Sequence, residues 1–181
     1  SGAAGTASAL GPQGAVTRAD LAEALGLGDP GRSWHTDRGP ILRIAEWMSA
    51  VTATLAAFGD SLIGLTGSDT GEVRLGGAGA SSTMPQKQNP VAPSVLVALN
   101  NQMTGLRASL QAASAHQYQR AGAAWFTEWM VLPQVALSAS CALQTARSMV
   151  EGLSPDTEQM QAHAGGLGLM YAEALSFALA A

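Results

Sequence analysis

Apolar side chains recur along this chain at three- and four-residue steps, the spacing that places them on one face of an α-helix. The clearest such stretch begins at Ile41. Its apolar positions are Ile41, Ile44, Ala45, Met48, Val51, Leu55, Phe58 and Leu62. A second long stretch follows Pro90, with the apolar face Val91, Val95, Leu99, Met103, Leu106 and Leu110. A third long helix is predicted from about residue 125 to residue 150, and we expect Pro133 to kink it.

Cap and turn residues predict where the helices begin. Residues 17–27 read as a short helix with Thr17 as its N-cap. The second long helix is predicted to start with Asn89 as its cap and Pro90 as its first residue. The sequence Ser154-Pro155-Asp156 repeats that signature and predicts a short helix up to His163. A last helical pattern continues to Ala181.

These elements define the predicted fold class. No stretch shows the alternation of β-branched and aromatic residues that is typical of strands. Helices of about 20 residues are about 30 Å long and pack as bundles. We therefore expect an all-α chain, in which residues 1–151 form part of a central helical-bundle domain and residues 152–181 begin a C-terminal helical domain. The glycine-rich start of segment 76–90 predicts a mobile loop.

Composition narrows the classes of function. Charged residues make up only 12% of the 181 residues, which suggests that much surface is buried in a homo-oligomer. The net charge of -4 argues against nucleic-acid binding. We also expect no membrane partner, because no uninterrupted apolar run is long enough to cross a bilayer. The single cysteine, Cys141, fits a reducing compartment, and we expect a cytoplasmic protein.

The loop at 76–90 carries the residue types for chemistry at a carboxylate. Backbone N–H groups at a helix start attract an anion, Lys87 adds a positive charge and Asn89 adds donors. Together they suit a carboxylate whose charge grows as a proton leaves the adjacent carbon. A serine can act as the base where its alkoxide is stabilised. The alternatives are a plain linker that ends in a helix cap, and a phosphate-binding loop. The second fails because no Gly-Lys-Ser/Thr sequence follows the glycines.

The string from Ser81 to Pro90 closely resembles the signature of the fumarase/aspartase superfamily, Gly-Ser-Ser-x-Met-Pro-x-Lys-x-Asn-Pro. The one departure from the signature is the residue before this string, Ala80, where the signature has glycine. The resemblance implies a homotetramer of long helices with each active site assembled from three subunits, without cofactor or metal. It implies that Ser81 is the general base and that Lys87 and Asn89 hold the substrate carboxylate. The other residues expected to contact substrate are Ser82, Thr83, Met84 and Arg120.

Three further segments resemble the 3-carboxy-cis,cis-muconate cycloisomerase branch of that superfamily. They are the opening turn at 2–6, Trp34-His35-Thr36-Asp37-Arg38, and the block at 120–133 with Arg120, Trp125, Glu128 and Trp129. The resemblance implies a cycloisomerase of aromatic catabolism that acts on a di- or tricarboxylate. The alternatives are a fumarate-releasing lyase of the adenylosuccinate, argininosuccinate or substituted-aspartate type, and a helical scaffold without activity. We expect these 181 residues to be a piece of a longer chain, inactive alone.

Several residues in these segments have a structural and a functional interpretation. For Trp125 and Trp129 we favour helix packing over a functional role, and for His35 a contact at a helix start or an interface over catalysis. Arg120 either binds a second carboxylate or pairs with Glu128. Tyr118 and Phe126 stand where the branch often has histidine, and Gln119 where it often has glutamate, which allows a different carboxylate substrate. His116 and His163 have no partner at the spacing of a zinc site.

Overall fold

The structure is a computed structural model that describes residues 5–76, 79–80, 88–118, 121–165 and 168–180. Within these ranges the chain is built from helices, as predicted. They are α1 (Gly14–Ala24), α2 (Gly39–Leu65), α3 (Val91–Ala113), α4 (Gly122–Glu151), α5 (Thr157–Ala164) and α6 (Ala172–Ala180). The three longest contain 27, 23 and 30 residues, and α4 continues through Pro133. The all-α fold class is confirmed.

The described chain divides into two compact units. Unit 1 consists of residues 1–51 and 101–139, and unit 2 of residues 52–100 and 140–181. Each unit has its own apolar core. The core of unit 1 is formed by Ala45, Met103, Leu110, Val131, Val135 and Ala139. The core of unit 2 is formed by Leu62, Val73, Leu75, Leu96, Ala142, Ala146 and Met149. The predicted boundary at residue 151 stays a prediction.

The predicted apolar face of α3 is wrong at its start. Val91 and Val95 are 56% and 37% exposed, whereas Leu96 is completely buried in the core of unit 2. A strict four-residue step drifts around a helix that turns every 3.6 residues. Residues 96, 99 and 103 follow the helix period, so the buried face passes through Leu96 instead of Val95.

Three helices start at residues other than those predicted. α1 begins before Thr17, whose hydroxyl donates to the Gln13 carbonyl at 2.9 Å from inside the helix. α3 begins at Val91, after the Pro90 carbonyl, which accepts the Ser94 N–H at 3.1 Å. Asp156 caps α5 by accepting the Gln159 N–H. Thr17 therefore lies inside α1 and is not its cap, and α3 begins one residue later than predicted.

Four very short strands form two ladders, of which the β1–β4 ladder joins residues that lie far apart in the chain. β1 (Val73–Leu75) pairs with β4 (Leu153–Pro155), and β2 (Gly79–Ala80) pairs with β3 (Gln88–Asn89), both antiparallel. The pattern of apolar residues in the sequence predicts no strands. Strands of two or three residues are too short to show alternation, so only the folded chain reveals them.

α2 is also apolar and long enough, by length and composition alone, to cross a membrane. Arg43, Glu46 and Asp60 interrupt the apolar residues of α2, so this finding does not contradict the expected absence of an uninterrupted apolar run. The absence of a membrane partner stays a prediction. A helix in the core of a protein meets the same test. α2 contributes Ala45 to the core of unit 1 and Leu62 to the core of unit 2.

Candidate active site

The signature segment falls mostly outside the residues that the structure describes. Of the predicted site residues, Asn89 is described. The others, Ser81, Ser82, Thr83, Met84, Lys87 and Arg120, lie outside the described ranges. Their assigned roles therefore stay predictions, and the structure shows the frame on either side of them.

The β2–β3 ladder forms this frame at the signature segment. Gly79 is the partner of Asn89, and Ala80 is the partner of Gln88. Paired residues on antiparallel strands lie about 4.5–5.5 Å apart. Ala80 and Gln88, which flank the seven residues 81–87 in the sequence, therefore lie close together in unit 2.

A close contact between two glycines lies before this ladder. The Gly76 N–H donates to the Gly152 carbonyl at 2.7 Å, next to the β1–β4 ladder. A Cβ atom on Gly76 would lie 2.8 Å from the Gly152 Cα, and one on Gly152 would lie 2.9 Å from the Gly76 Cα. Only glycine fits on both sides of this contact. We call the β2–β3 ladder together with the Gly76–Gly152 contact the loop base.

Asn89 is half-buried at the end of the loop base and lines an open pocket of about 460 Å³. The pocket wall combines the start of α3 with one side of α4. Its other lining residues are Leu75, Gly76, Val91, Ala92, Gln144, Thr145, Ser148 and Met149. Amide and hydroxyl groups thus stand beside the start of a long helix, whose partial positive charge attracts anions. This arrangement suits a carboxylate.

A second group of predicted residues meets at the start of α4, in unit 1. Arg38 binds Glu128 in a bidentate ion pair, with Nε 2.7 Å from Oε2 and Nη2 2.5 Å from Oε1. The two side chains are only 17% and 11% exposed. Parallel N–H···O bonds of this kind are among the strongest that side chains make. Of the two partners considered for Arg120, Glu128 is thus already paired with Arg38.

Aromatic rings extend this group. The ring centroid of His35 lies 5.4 Å from that of Trp125, which lies 5.4 Å from that of Trp129. The packing interpretation of the two tryptophans is thus confirmed. Gly5, from the opening turn, packs against His35, because a Cβ on Gly5 would lie 2.6 Å from the His35 Cβ. We call His35, Arg38, Trp125 and Glu128 the α4-start cluster.

Asp37 stabilises the segment that leads to this cluster. Its Oδ1 accepts the Gly39 N–H at 3.0 Å, and Oδ2 pairs with Arg32 at 2.6 Å. The Gly39 N–H and then the Arg32 guanidinium hold the pKa of Asp37 below its usual value. The carboxylate therefore remains charged and caps α2 at neutral pH.

Two features of the α4-start region are not predicted from the sequence. The first is the pairing of Arg38 with Glu128, although both lie in segments that resemble the cycloisomerase branch. The second is the hydrogen bond that the His116 Nδ1 atom accepts from the Ala121 N–H at 3.3 Å. Among the residues that the structure describes, no three His, Cys, Asp or Glu side chains are placed to hold a metal ion.

Comparisons with known proteins agree with this arrangement. The sequence model of a lyase family matches residues 1–105. The chain is 40% identical, over 99% of its length, to 3-carboxy-cis,cis-muconate cycloisomerase of Pseudomonas aeruginosa, and 36% identical, also over 99%, to that of Pseudomonas putida. It spans 40% and 43% of the length of these relatives.

The fold agrees as well. The crystal structure of 3-carboxy-cis,cis-muconate lactonizing enzyme from Pseudomonas putida superposes with a TM-score of 0.85 at 34% sequence identity. The superposition covers 99% of this chain and 40% of that one. The names of these relatives denote enzymes that act on a small-molecule carboxylate.

Proposed function

The chain belongs to the lyase family, within the fumarase/aspartase superfamily, and from this premise we propose that the complete protein converts 3-carboxy-cis,cis-muconate to a carboxymuconolactone. The observation that carries this proposal is the similarity of nearly the whole chain to proteins that bear this enzyme's name. The residue types between Ser81 and Pro90 support it, because they suit proton transfer beside a carboxylate.

In the proposed reaction a carboxylate oxygen of the muconate adds to a double bond of the same molecule, and the new C–O bond closes the lactone ring. The neighbouring carbon, which lies beside another carboxylate, receives a proton. That proton balances the charge that the first carboxylate loses when it becomes an ester. Ser81 delivers the proton in this direction and removes it in the reverse elimination.

The charged intermediate needs donors at the carboxylate beside the reacting carbon. Lys87 and Asn89 supply them, with Ser82, Thr83 and Met84 in contact with substrate and Arg120 at a second carboxylate. Asn89 stands at the loop base, directly before the positive end of α3. Donors that are fixed before the reaction starts stabilise the developing charge without reorganisation.

The complete protein is proposed to be a cytoplasmic homotetramer with shared active sites. Large exposed apolar side chains on the long helices support the assembly. They include Trp47 on α2, 65% exposed, and Phe126 and Leu137 on α4, 60% and 68% exposed. Such surfaces mark sites of protein association. Light scattering of the purified complete protein measures its mass, and a monomer would contradict this assembly.

Absorbance assays on the complete protein test the activity. Loss of carboxymuconate absorbance with formation of a lactone is the expected result. Release of fumarate from adenylosuccinate, argininosuccinate or a substituted aspartate, without any lactone, would instead establish the second candidate, a fumarate-releasing lyase. Phe126 favours that candidate because it stands where the cycloisomerase branch often has histidine. Turnover of none of these substrates would leave the helical scaffold.

A further inference from the structure

A side-chain hydrogen bond joins a residue shortly after α3 to the residue directly before α4. The His116 Nδ1 atom accepts the Ala121 N–H at 3.3 Å, across five residues. The Ala121 carbonyl in turn accepts the Trp125 N–H at 3.2 Å, so Ala121 is the N-cap residue directly before α4. Backbone N–H groups at a helix start lack partners within the helix. His116 therefore supplies one of these groups with an acceptor.

The backbone at Tyr118 needs such support. Tyr118 adopts a left-handed conformation with φ of 56°, and its side chain is 98% exposed. A non-glycine residue in this region costs about 1 kcal/mol or more. Because the exposed ring of Tyr118 gains little from packing, contacts on either side of it must stabilise the turn. The His116–Ala121 hydrogen bond spans this residue.

The two nitrogens of the His116 ring have different surroundings. Since Nδ1 accepts a hydrogen bond, it carries no proton in this arrangement, and the neutral ring carries its proton on Nε2. Nε2 is buried, and no residue in the described ranges gives it a hydrogen-bond partner. The bond to Ala121 is therefore the polar contact that explains the orientation of this ring.

We propose that His116 is a positioning residue, which fixes the Ala121 N–H at the start of α4 and thereby the peptide bond that joins Ala121 to the preceding residue in the sequence, Arg120. This inference rests on the proposed function, in which Arg120 binds a carboxylate of the substrate. An arginine that binds a carboxylate through two hydrogen bonds depends on accurate placement. His116 acts through the backbone and does not itself touch substrate.

Three variants of the complete protein separate the hydrogen bond from the volume of the ring. His116→Asn keeps an acceptor at the δ position, His116→Phe keeps a ring without an acceptor, and His116→Ala has neither. We expect KM for carboxymuconate to rise roughly three- to tenfold in the Phe and Ala variants, the size of one hydrogen bond. His116→Asn should stay within about twofold of wild type, and kcat should change little in all three.

His163→Asn is the matched control, since the Nδ1 atom of His163 pairs with Glu72 in unit 2 at 2.7 Å. It should leave KM unchanged. An unchanged KM in His116→Phe, or an equal rise in His116→Asn and His116→Ala, would overturn the positioning role. So would a fall in kcat with KM unchanged.

Hydrogen exchange keeps this test separate from the proposed activity. The Ala121 amide should exchange faster in His116→Phe and His116→Ala than in wild type or His116→Asn, whatever the enzyme acts on. Equal exchange in all four proteins would reject the positioning role. A wild-type protein that makes no lactone but shows the expected exchange pattern would reject the proposed substrate and leave His116 at the start of α4.

Discussion

The α4-start cluster and the loop base are stabilised by different physical means. In the α4-start cluster the contacts are between side chains, an ion pair and a pair of aromatic rings. At the loop base they are between backbone groups, a two-residue ladder and a contact that has no room for a Cβ atom. The first region depends on side chains of opposite charge and on contact between rings. The second depends on residues without a Cβ atom. Substitutions in the two regions should therefore fail for different reasons.

The largest expected effect concerns Ser81, which lies between the two strands of the loop base in the sequence. Ser81→Ala should lower kcat by about 10²–10⁴-fold, because it removes the proposed general base. The melting temperature should not change. Steady-state rates of the complete protein measure this effect, with Ser68→Ala as the control, since Ser68 is an exposed serine away from the ladder. Full activity of Ser81→Ala would remove Ser81 from the mechanism and leave the loop base without a catalytic role.

The next effect concerns the ion pair of the α4-start cluster. Glu128→Ala leaves the mostly buried Arg38 guanidinium without its partner, and we expect a loss of about 3–5 kcal/mol in the free energy of unfolding. Glu151→Ala breaks the exposed pair with Arg147, which should cost about 0.5 kcal/mol or less. Urea denaturation of both variants measures the contrast. Equal losses would show that burial does not distinguish the two pairs.

A glycine substitution tests the loop base through volume. Gly76→Ala places a Cβ 2.8 Å from the Gly152 Cα, and we expect a loss of about 1–3 kcal/mol from this overpacking. Gly64, near the end of α2, has open space around it, so Gly64→Ala should stabilise the helix by about 0.5–1 kcal/mol. Thermal unfolding measures both. Gly76→Ala without any loss of stability would contradict the close glycine contact.

The smallest effect is at an exposed ion pair beside the β1–β4 ladder. The Gln159 N–H and then the Arg74 guanidinium lower the pKa of Asp156. Its stabilising contribution is therefore complete above the usual aspartate pKa of about 3.9 and disappears as the pH falls through the lowered value. Asp156→Asn should be slightly less stable than wild type at pH 7. The difference should vanish in acid, as measured by urea denaturation across pH, and a constant difference would contradict the lowered pKa.

The helical architecture could be predicted because its signal is local. A three- and four-residue apolar step identified α2, α3 and α4, and it needs no knowledge of what each helix packs against. The buried face of α3 was less accurate, because only packing distinguishes Leu96 from Val95. The strands escaped prediction because their stability comes from partners about 80 residues away in β1 and β4, and their two or three residues carry no period.

The residues from Ser81 to Pro90 predict the chemical class through their resemblance to the fumarase/aspartase signature, since the residue types alone also fit a plain linker that ends in a helix cap. The segments with Arg38 and Glu128 could also be recognised along the chain. Their pairing could not, because the two residues are 90 positions apart and several charged side chains were possible partners. Folding brings this carboxylate and this guanidinium together away from water, where an unpaired charge is costly. The hydrogen bond that His116 accepts from Ala121 is likewise visible only in the folded chain, because nothing in the sequence pairs this ring with that N–H.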